Sequence, residues 1–503
     1  MSEVTTLKEL LYFADEMYGD EPFVIENKKG SVAEKSYRQL RKDCDSLAVW
    51  IESEFNERVH AALVGSTSYE YLTAWFGIQC CGCVSVPLDT ANNAERISDE
   101  INRSDSQILF IDRNHEDDIE KLKQLCPAVK YIISIHGRCE GALCLDDIIS
   151  ENAGKKPKRS TKSDDLAAIL FTSGTTGKSK GVMLSNGNLI DNTKCGGPDE
   201  SFHGEKRMTV LPVHHIFCFT CDILCGLWYG RRLCINDSLM RIPKNMKFFQ
   251  PNSVTFVPMI AMSLLNKLNQ VYAKTNDRKA AVSEVLGDNL DIIYTGGAYL
   301  SPEIQKSYAE FGVEITQGYG MTECSPRICT GKRKSEAPDS VGIIVDGCEV
   351  KIVEGEIWVK SKSVMMGYYK NPEETEKSLT PDGWLRTGDL GYKDDRGYLY
   401  ITGRKKNLII LSNGENVSPE ELENQFSCFT PVKEIIVYAK EGQITAEVYP
   451  NPDYISDDIS AEIQKKIDEV NDTFPPAKRI VKMIIRDTEF EKTTSKKIIR
   501  PSF

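Results

Sequence analysis

Short β-rich runs and helical patterns alternate along residues 55–135. "HAALVG", "CVSVPLD", "SQILFID" and "YIISI" read as strands, with "SYEYLTAWFGIQCCG" and "NAERISDEINRS" as helices between them. That alternation predicts an α/β unit with a largely parallel sheet. The polar, basic stretch at 151–165 reads as a solvated connection. Alternation resumes with "MTVLPV", "LCIND", "SVTFVPM", "DIIYTGG" and "VEITQGYG", so a second α/β unit is expected over about 190–325. From 340 the β runs crowd together, with glycines and no long helix, which suggests an antiparallel sheet or small barrel. Beyond "GYLYITGRKKNLII" the strands "EIIVYA" and "ITAEVYP" accompany a helix with Ile459, Ile463, Ile467, Val470 and Phe474 on one face. The expected fold class is α/β. A large N-terminal domain, residues 1–405, holds two α/β sheet subdomains and a small β-barrel-like subdomain. A small α+β C-terminal domain, residues 406–503, follows.

The bulk numbers change this picture little. A chain of 503 residues exceeds one compact core, so several structural units are expected. The net charge of −12 argues against general nucleic-acid or anionic-membrane binding, which would want a basic surface. The start "MSEVTTLKELLYFADEMYG" lacks a basic segment followed by an apolar core, so no secretory signal is read there. The most apolar stretch, "IFCFTCDILCGLWYG", is short and carries Asp222, so no membrane span is expected. A cytoplasmic location follows as the expectation, with the sixteen cysteines reduced. Among His214, His215, Cys218, Cys221 and Cys225, the Cys218-x-x-Cys221 spacing could suit a metal. Positions 214, 218, 221 and 225 also make one apolar helix face, and no second CxxC pair completes a site. The buried face is the expected reading.

The segment "TSGTTGKSKG", residues 172–181, carries the first chemical signal. Three glycines, five hydroxyl side chains and two lysines in ten positions suit a phosphate. A Walker loop would need glycine at 172, where threonine stands, and would run straight into a helix. Here "LAAILF" precedes the loop and "VMLS" follows, with the next helix starting at about Ser185. Strand–loop–strand, a phosphate-gripping hairpin, is the predicted form.

The loop resembles that of the adenylate-forming superfamily, which comprises acyl-CoA synthetases, peptide-synthetase adenylation domains and luciferases. Further motifs match in order along nearly the whole chain: "GCVSVPLD", "LPVHHI", "YTGGAYL", "QGYGMTECSP", "GEIWVKSKSVMMGYYKNPEET", "GWLRTGDLGYKDDRGYLYITGRKKN", "NGENVSPEELE" and "KTTSKKIIR". "LSNGENVSPEELE" is most similar to the long-chain acyl-CoA synthetase branch. The resemblance implies coupling of a carboxylic acid to ATP, giving an acyl-adenylate and pyrophosphate, then transfer of the acyl group to a thiol. Positioning and electrostatics would carry most of that catalysis.

Residue roles carry over by motif. Thr172, Ser173, Gly174, Thr175, Thr176 and Gly177 would wrap the β- and γ-phosphates, and Lys180 would neutralise pyrophosphate. Ser179 stands where the family usually has proline, which implies a looser loop. Glu323 is the implied magnesium carboxylate and Thr322 a phosphate contact. Tyr319, followed by Gly320, would stack on adenine, with Gly296, Gly297 and Ala298 opposite. Asp389 is the implied ribose ligand with Arg404 as its companion, and His215 would lie near the substrate carboxylate. Lys497 aligns with the lysine that bridges carboxylate and α-phosphate, although Lys496 replaces the usual glycine before it. Lys406 falls at the hinge of a mobile C-terminal domain that would turn either Lys497 or a thiol-acceptor face around Gly414 toward the substrate.

The substrate pocket is expected between "HHIFCFTCDILCGLWYG" and "IIYTGGAYL", whose apolar content points to a fatty or aromatic acid. Asp222 is the one residue there that could be read as binding an amino acid's ammonium. ATP, Mg2+ and coenzyme A are the implied small molecules. The phosphopantetheine of an acyl carrier protein is the alternative acceptor, because it presents the same thiol arm. A non-catalytic nucleotide-binding relative is the other class. It should have lost some of Lys180, Glu323, Asp389 and Lys497, and all four are present.

Overall fold

The computed structural model describes residues 3–172, 179–195, 202–333, 335–410, 416–492 and 498–500. Among these the strands form sheets of nine, eight, four and three members and one two-stranded ladder. The α/β fold with a large N-terminal part and a smaller C-terminal part is as the alternation predicts.

The eight-stranded sheet is built on parallel strands Val84–Leu88, His60–Val64, Ser106–Ile111 and Tyr131–Ser134. The helices between them begin at side-chain caps: Ser68 accepts from the Tyr71 N–H, and Asn93 from the Arg96 N–H. Helix Tyr69–Cys80 has every residue but Glu70 buried, which suits a run apolar on nearly all sides. The hairpin Leu166–Thr172 and Lys180–Ser185 joins this sheet through the Ser85–Ala168 pairing. Strand Gly367–Tyr368, from far along the chain, pairs with the hairpin's outer strand.

The nine-stranded sheet centres on parallel strands Arg232–Ile235, Lys206–Thr209, Ser253–Phe256, Ile292–Thr295 and Glu314–Gly320. An N-terminal hairpin, Pro22–Lys28 with Ser31–Ser36, closes one edge by parallel pairing with Arg232–Ile235. The largest core lies between the two sheets, where Leu10, Leu40, Trp75, Phe76 and Phe219 are buried together. Burial on this scale dominates the stability of the large part.

The crowded strands after 340 form an open four-stranded antiparallel sheet, Cys348–Val353, Glu356–Ser361, Leu385–Lys393 and Leu399–Arg404, the sheet form of the two the spacing allowed. The last part has its own core, in which Ile463, Ile467 and Val470 of helix Ile459–Thr473 pack with Val437, Ala446 and Val448. Ile459 and Phe474 flank that face, half-buried. No helix among the described residues is long and apolar enough to cross a membrane.

Candidate active site

The strands on either side of the glycine-rich segment pair antiparallel, as predicted. Thr172 pairs with Lys180 across the hairpin, and the following helix starts at Ser185, whose hydroxyl accepts from the Asn188 N–H. Ser173, Gly174, Thr175, Thr176 and Gly177 lie outside the described residues, as do Gly414, Lys496 and Lys497. Ser179 is not loosely held. It is buried, its hydroxyl donates to Glu100 Oε1 at 3.0 Å, and the Arg103 guanidinium donates to its carbonyl and hydroxyl oxygens. Burial lifts the Glu100 carboxyl above its ordinary range.

Lys180 and Glu323 meet through Tyr368. The Lys180 ammonium lies over the Tyr368 ring, 5.1 Å from its centre, and the Tyr368 hydroxyl donates to Glu323 Oε1 at 2.8 Å. Lys180 is also ion-paired with Glu374. Sequence reading assigned nothing to Tyr368 or Glu374, although both stand in the quoted "GYYKNPEET". Only the pairing of Gly367–Tyr368 with the hairpin reveals them. Glu323 sits in the one-turn helix Thr322–Cys324, with Thr322 half-buried beside it. The turn around it needs a glycine: a Cβ on Gly320 would stand 2.0 Å from the Pro326 carbonyl oxygen.

A second cluster adjoins the first through Gly320–Thr322. The Tyr319 hydroxyl donates to Asp389 Oδ2 at 2.6 Å, and Arg404 Nε lies 2.6 Å from Asp389 Oδ1. Asp389 and Arg404 are register partners on neighbouring strands. Burial, then the Asp389 charge, pushes the Tyr319 hydroxyl well above its ordinary value, so it donates throughout the physiological range. Lys406 follows in the exposed turn Lys405–Asn407, while Lys405 Nζ reaches buried Glu356 at 2.9 Å. Glu356 also accepts from the Gly388 N–H at 3.0 Å, fixing the turn that delivers Asp389.

The third group lines the sheet's carboxyl edge, where open α/β sheets bind ligands. Gly296 follows strand Ile292–Thr295 and is buried; a Cβ there would meet the Phe217 ring at 3.0 Å. Gly297, with φ of +81°, and Ala298 are exposed. The two expected pocket walls therefore touch at Phe217 and Gly296. His215 caps the helical stretch that begins at Ile216, half-buried, and its ring centre lies 4.3 Å from that of His214. His214, which the spacing put on one helix face with Cys218, instead lies in the turn before that helix, buried with both ring nitrogens lacking a hydrogen bond among the described residues. Its Nε2 lies 3.6 Å from Asp89 Oδ1. Burial pushes its pKa down to about 3, so the ring is neutral.

Cys218, Cys221 and Cys225 are all buried, but the face they share is not one regular α-helix, because Phe219–Leu224 is wound as π-helix. Asp222 is not placed for an ammonium. It is fully buried, accepting from Arg207 Nε at 2.6 Å and from the Thr255 hydroxyl at 2.7 Å.

The chain's likeness to known proteins is consistent at sequence and fold levels. The sequence matches the AMP-binding enzyme family over residues 13–369 and the AMP-binding enzyme C-terminal domain over 406–503. It is 27% identical over 426 residues to a long-chain-fatty-acid–CoA ligase of Mycobacterium bovis, covering 75% of this chain and 70% of that protein. It is likewise 27% identical over 472 residues to a 4-coumarate–CoA ligase-like protein of Oryza sativa, covering 88% and 82%. The crystal structure of an anthranilate CoA ligase with anthranoyl-AMP superposes with a TM-score of 0.86 at 18% identity, covering 98% of this chain and 95% of that one. With the motifs in order and both parts of the chain matched, the protein belongs to the AMP-binding enzyme family.

Proposed function

We propose that this protein is an acid–thiol ligase that activates a carboxylic acid with ATP and passes the acyl group to coenzyme A. The observation that carries the reading is the grouping of Lys180, Tyr368 and Glu323 beside Tyr319, Asp389 and Arg404, joined by one five-residue segment. In this reading Lys180 and Glu323 serve phosphates and metal beside Asp389, which serves the ribose. The substrate carboxylate attacks the α-phosphorus, and the bond from that phosphorus to the pyrophosphate oxygen breaks. The thiolate then attacks the acyl carbon, and the carbon–oxygen bond to AMP breaks.

In this reading Thr172, Ser173, Gly174, Thr175, Thr176, Gly177 and Lys180 hold pyrophosphate, and Thr322 contacts the phosphates. Tyr319 and Gly320, with Gly296, Gly297 and Ala298, frame the adenine; Asp389 accepts from the ribose hydroxyls while Arg404 and Tyr319 orient it. Lys497 offsets the charge gathering between carboxylate and α-phosphate. His215 orients the carboxylate rather than removing a proton, since the acid is already ionised. Residues 1–405 and 406–503 act as two domains about Lys406, the second presenting Lys497 or the face around Gly414.

Glu323 fits a magnesium ion that takes its other ligands from phosphates and water. One oxygen of its carboxylate is held by Tyr368 and the other accepts no hydrogen bond among the described residues. No group of three or more His, Cys, Asp or Glu among those residues could hold a metal without such outside ligands. Bound there, magnesium would neutralise phosphate charge.

The acid is apolar in this reading, fatty or aromatic. Phe217 forms the pocket wall against Gly296, and Asp222, spent on Arg207, is withdrawn from binding an amino acid's ammonium. The names of the fatty-acid and coumarate ligases cited above agree with that class. The test is pyrophosphate release from ATP across fatty, aromatic and amino acids, with and without coenzyme A. Release with one apolar class that accelerates with coenzyme A is expected. Release indifferent to coenzyme A would transfer the acceptor role to a carrier protein. Silence across the panel would sink the ligase reading in favour of a nucleotide-binding relative.

A further inference from the structure

We infer that Glu374 is a resident competitor for the phosphate-binding lysine, a carboxylate that holds Lys180 when pyrophosphate is absent and so weakens pyrophosphate binding. This rests on the assignment of Lys180 to pyrophosphate made above. Lys180 is ion-paired with Glu374 Oε2, and the same carboxylate accepts from Lys377 Nζ through Oε1 at 2.7 Å. The position of Glu374 is built rather than accidental. It lies in the first turn of helix Pro372–Ser378, where the Asn371 side chain accepts from the Glu374 N–H. The Thr375 hydroxyl, one residue on, donates to the Asn371 carbonyl and accepts from the Tyr368 N–H at 2.9 Å. Tyr368 in turn pairs with Val182 on the strand that carries Lys180. The helix turn and the lysine are thereby locked in register.

One ammonium cannot fully serve two anions. When a phosphate takes Lys180, Glu374 keeps Lys377, so its charge is not stranded. When the phosphate leaves, Glu374 recaptures Lys180, which lowers the cost of departure. The Lys180 and Glu374 side chains are 19% and 25% exposed, so their attraction is less screened than that of a surface pair. The two lysines hold the Glu374 carboxyl down to about 2, so the competitor stays charged at any working pH. A cavity of about 370 Å³ lined in part by Arg103, Phe171, Lys180, Gly181 and Lys370 opens beside the pair, leaving room for an anion at Lys180.

Calorimetric titration of magnesium pyrophosphate and of magnesium ATP into the full chain tests this. Glu374→Gln should bind pyrophosphate roughly three- to tenfold tighter, the worth of a half-buried ion pair. Lys377→Met should shift the other way by about twofold, because the carboxylate then falls wholly to Lys180. Lys180→Met should weaken pyrophosphate at least about tenfold, and adding Glu374→Gln to it should change nothing more. Damage to the helix would move Glu374→Gln and Lys377→Met in the same direction, and opposite shifts exclude it. Glu374→Gln binding pyrophosphate as wild type does, or more weakly, overturns the inference while the Lys180 assignment stands. A gain that persists in the Lys180→Met background overturns it too. Wild-type protein that binds neither ligand, or Lys180→Met that binds both normally, removes the Lys180 assignment and the inference with it.

Discussion

Asp389 shows how much of a site one side chain can organise. It is buried, takes the Tyr319 hydroxyl on one oxygen and Arg404 on the other, and its N–H donates to the Thr387 hydroxyl. A carboxylate so held is preorganised to accept further hydrogen bonds. Asp389→Asn keeps the shape but removes the charge, and hydrogen bonds to charged groups are worth about 1.5–3 kcal/mol. ATP affinity by calorimetry should fall roughly tenfold to a hundredfold, by the same free energy. Unchanged affinity would take the ribose role from Asp389. His214 makes a prediction in pH. Its folded pKa, about 3, lies below the unfolded value, so its contribution to stability is present above about pH 6.5 and drains away as pH falls toward 3. The proton resonances of its ring should stay flat from pH 8 to 5. A midpoint near 6.5 would mean that the ring is wet.

At the scale of elements, the helical stretch from Ile216 to Tyr229 bears two loads at once. Phe217 faces Gly296 at the site, and Phe219 packs against Trp75, with ring centres 4.0 Å apart, in the core between the sheets. Asp222 in its π-wound middle answers the only charge of buried Arg207, which also donates to Ser253 and Thr255 and lies over the Tyr294 ring. Removing one partner of a buried pair leaves the other uncompensated, at a cost of about 3–5 kcal/mol. Asp222→Ala should therefore lower unfolding free energy in denaturant by about that amount. If the variant instead keeps its stability and changes only which acid is used, Asp222 belongs to the substrate after all.

For the whole molecule, the proposed chemistry divides between two parts with separate cores. Lys180 and Glu323 lie in the segment matched to the AMP-binding enzyme family, with Asp389 bound to it through Tyr319, whereas Lys497 lies in the segment matched to the C-terminal domain. A cation needed only where carboxylate meets α-phosphate should affect one half-reaction. Lys497→Ala should lower the rate of adenylate formation by roughly a hundredfold or more, the worth of one preorganised electrostatic contact. Its consumption of preformed acyl-adenylate with coenzyme A should stay near wild type. Rapid-quench assays of each half-reaction decide this. Normal adenylation would pass the role to Lys496, and loss of both steps would remove the division of labour.

Much of this was readable along the chain. Apolar alternation yielded both α/β units, the crowded β runs and the amphipathic face of the last helix, because strand and helix periods depend on near neighbours. The ordered motifs named Lys180, Glu323 and Asp389 through the family resemblance they carry, since such motifs hold residue types at fixed places along the chain. What pairs across hundreds of positions was not readable. Tyr368 reaches Lys180 and Glu323 only because a two-residue strand adds to the hairpin's edge, and Glu374 finds Lys180 only because a helix turn is pinned to that strand. Asp222, the one acid that could be read for an ammonium, is spent on Arg207, and Ser179, where the family usually has proline, is held by Arg103 and Glu100. The sequence by itself determined the main elements, the family and the candidates Lys180, Glu323 and Asp389. Tertiary structure decided which of those charges are already spent on one another, because charge compensation depends on distances in space that no local pattern encodes.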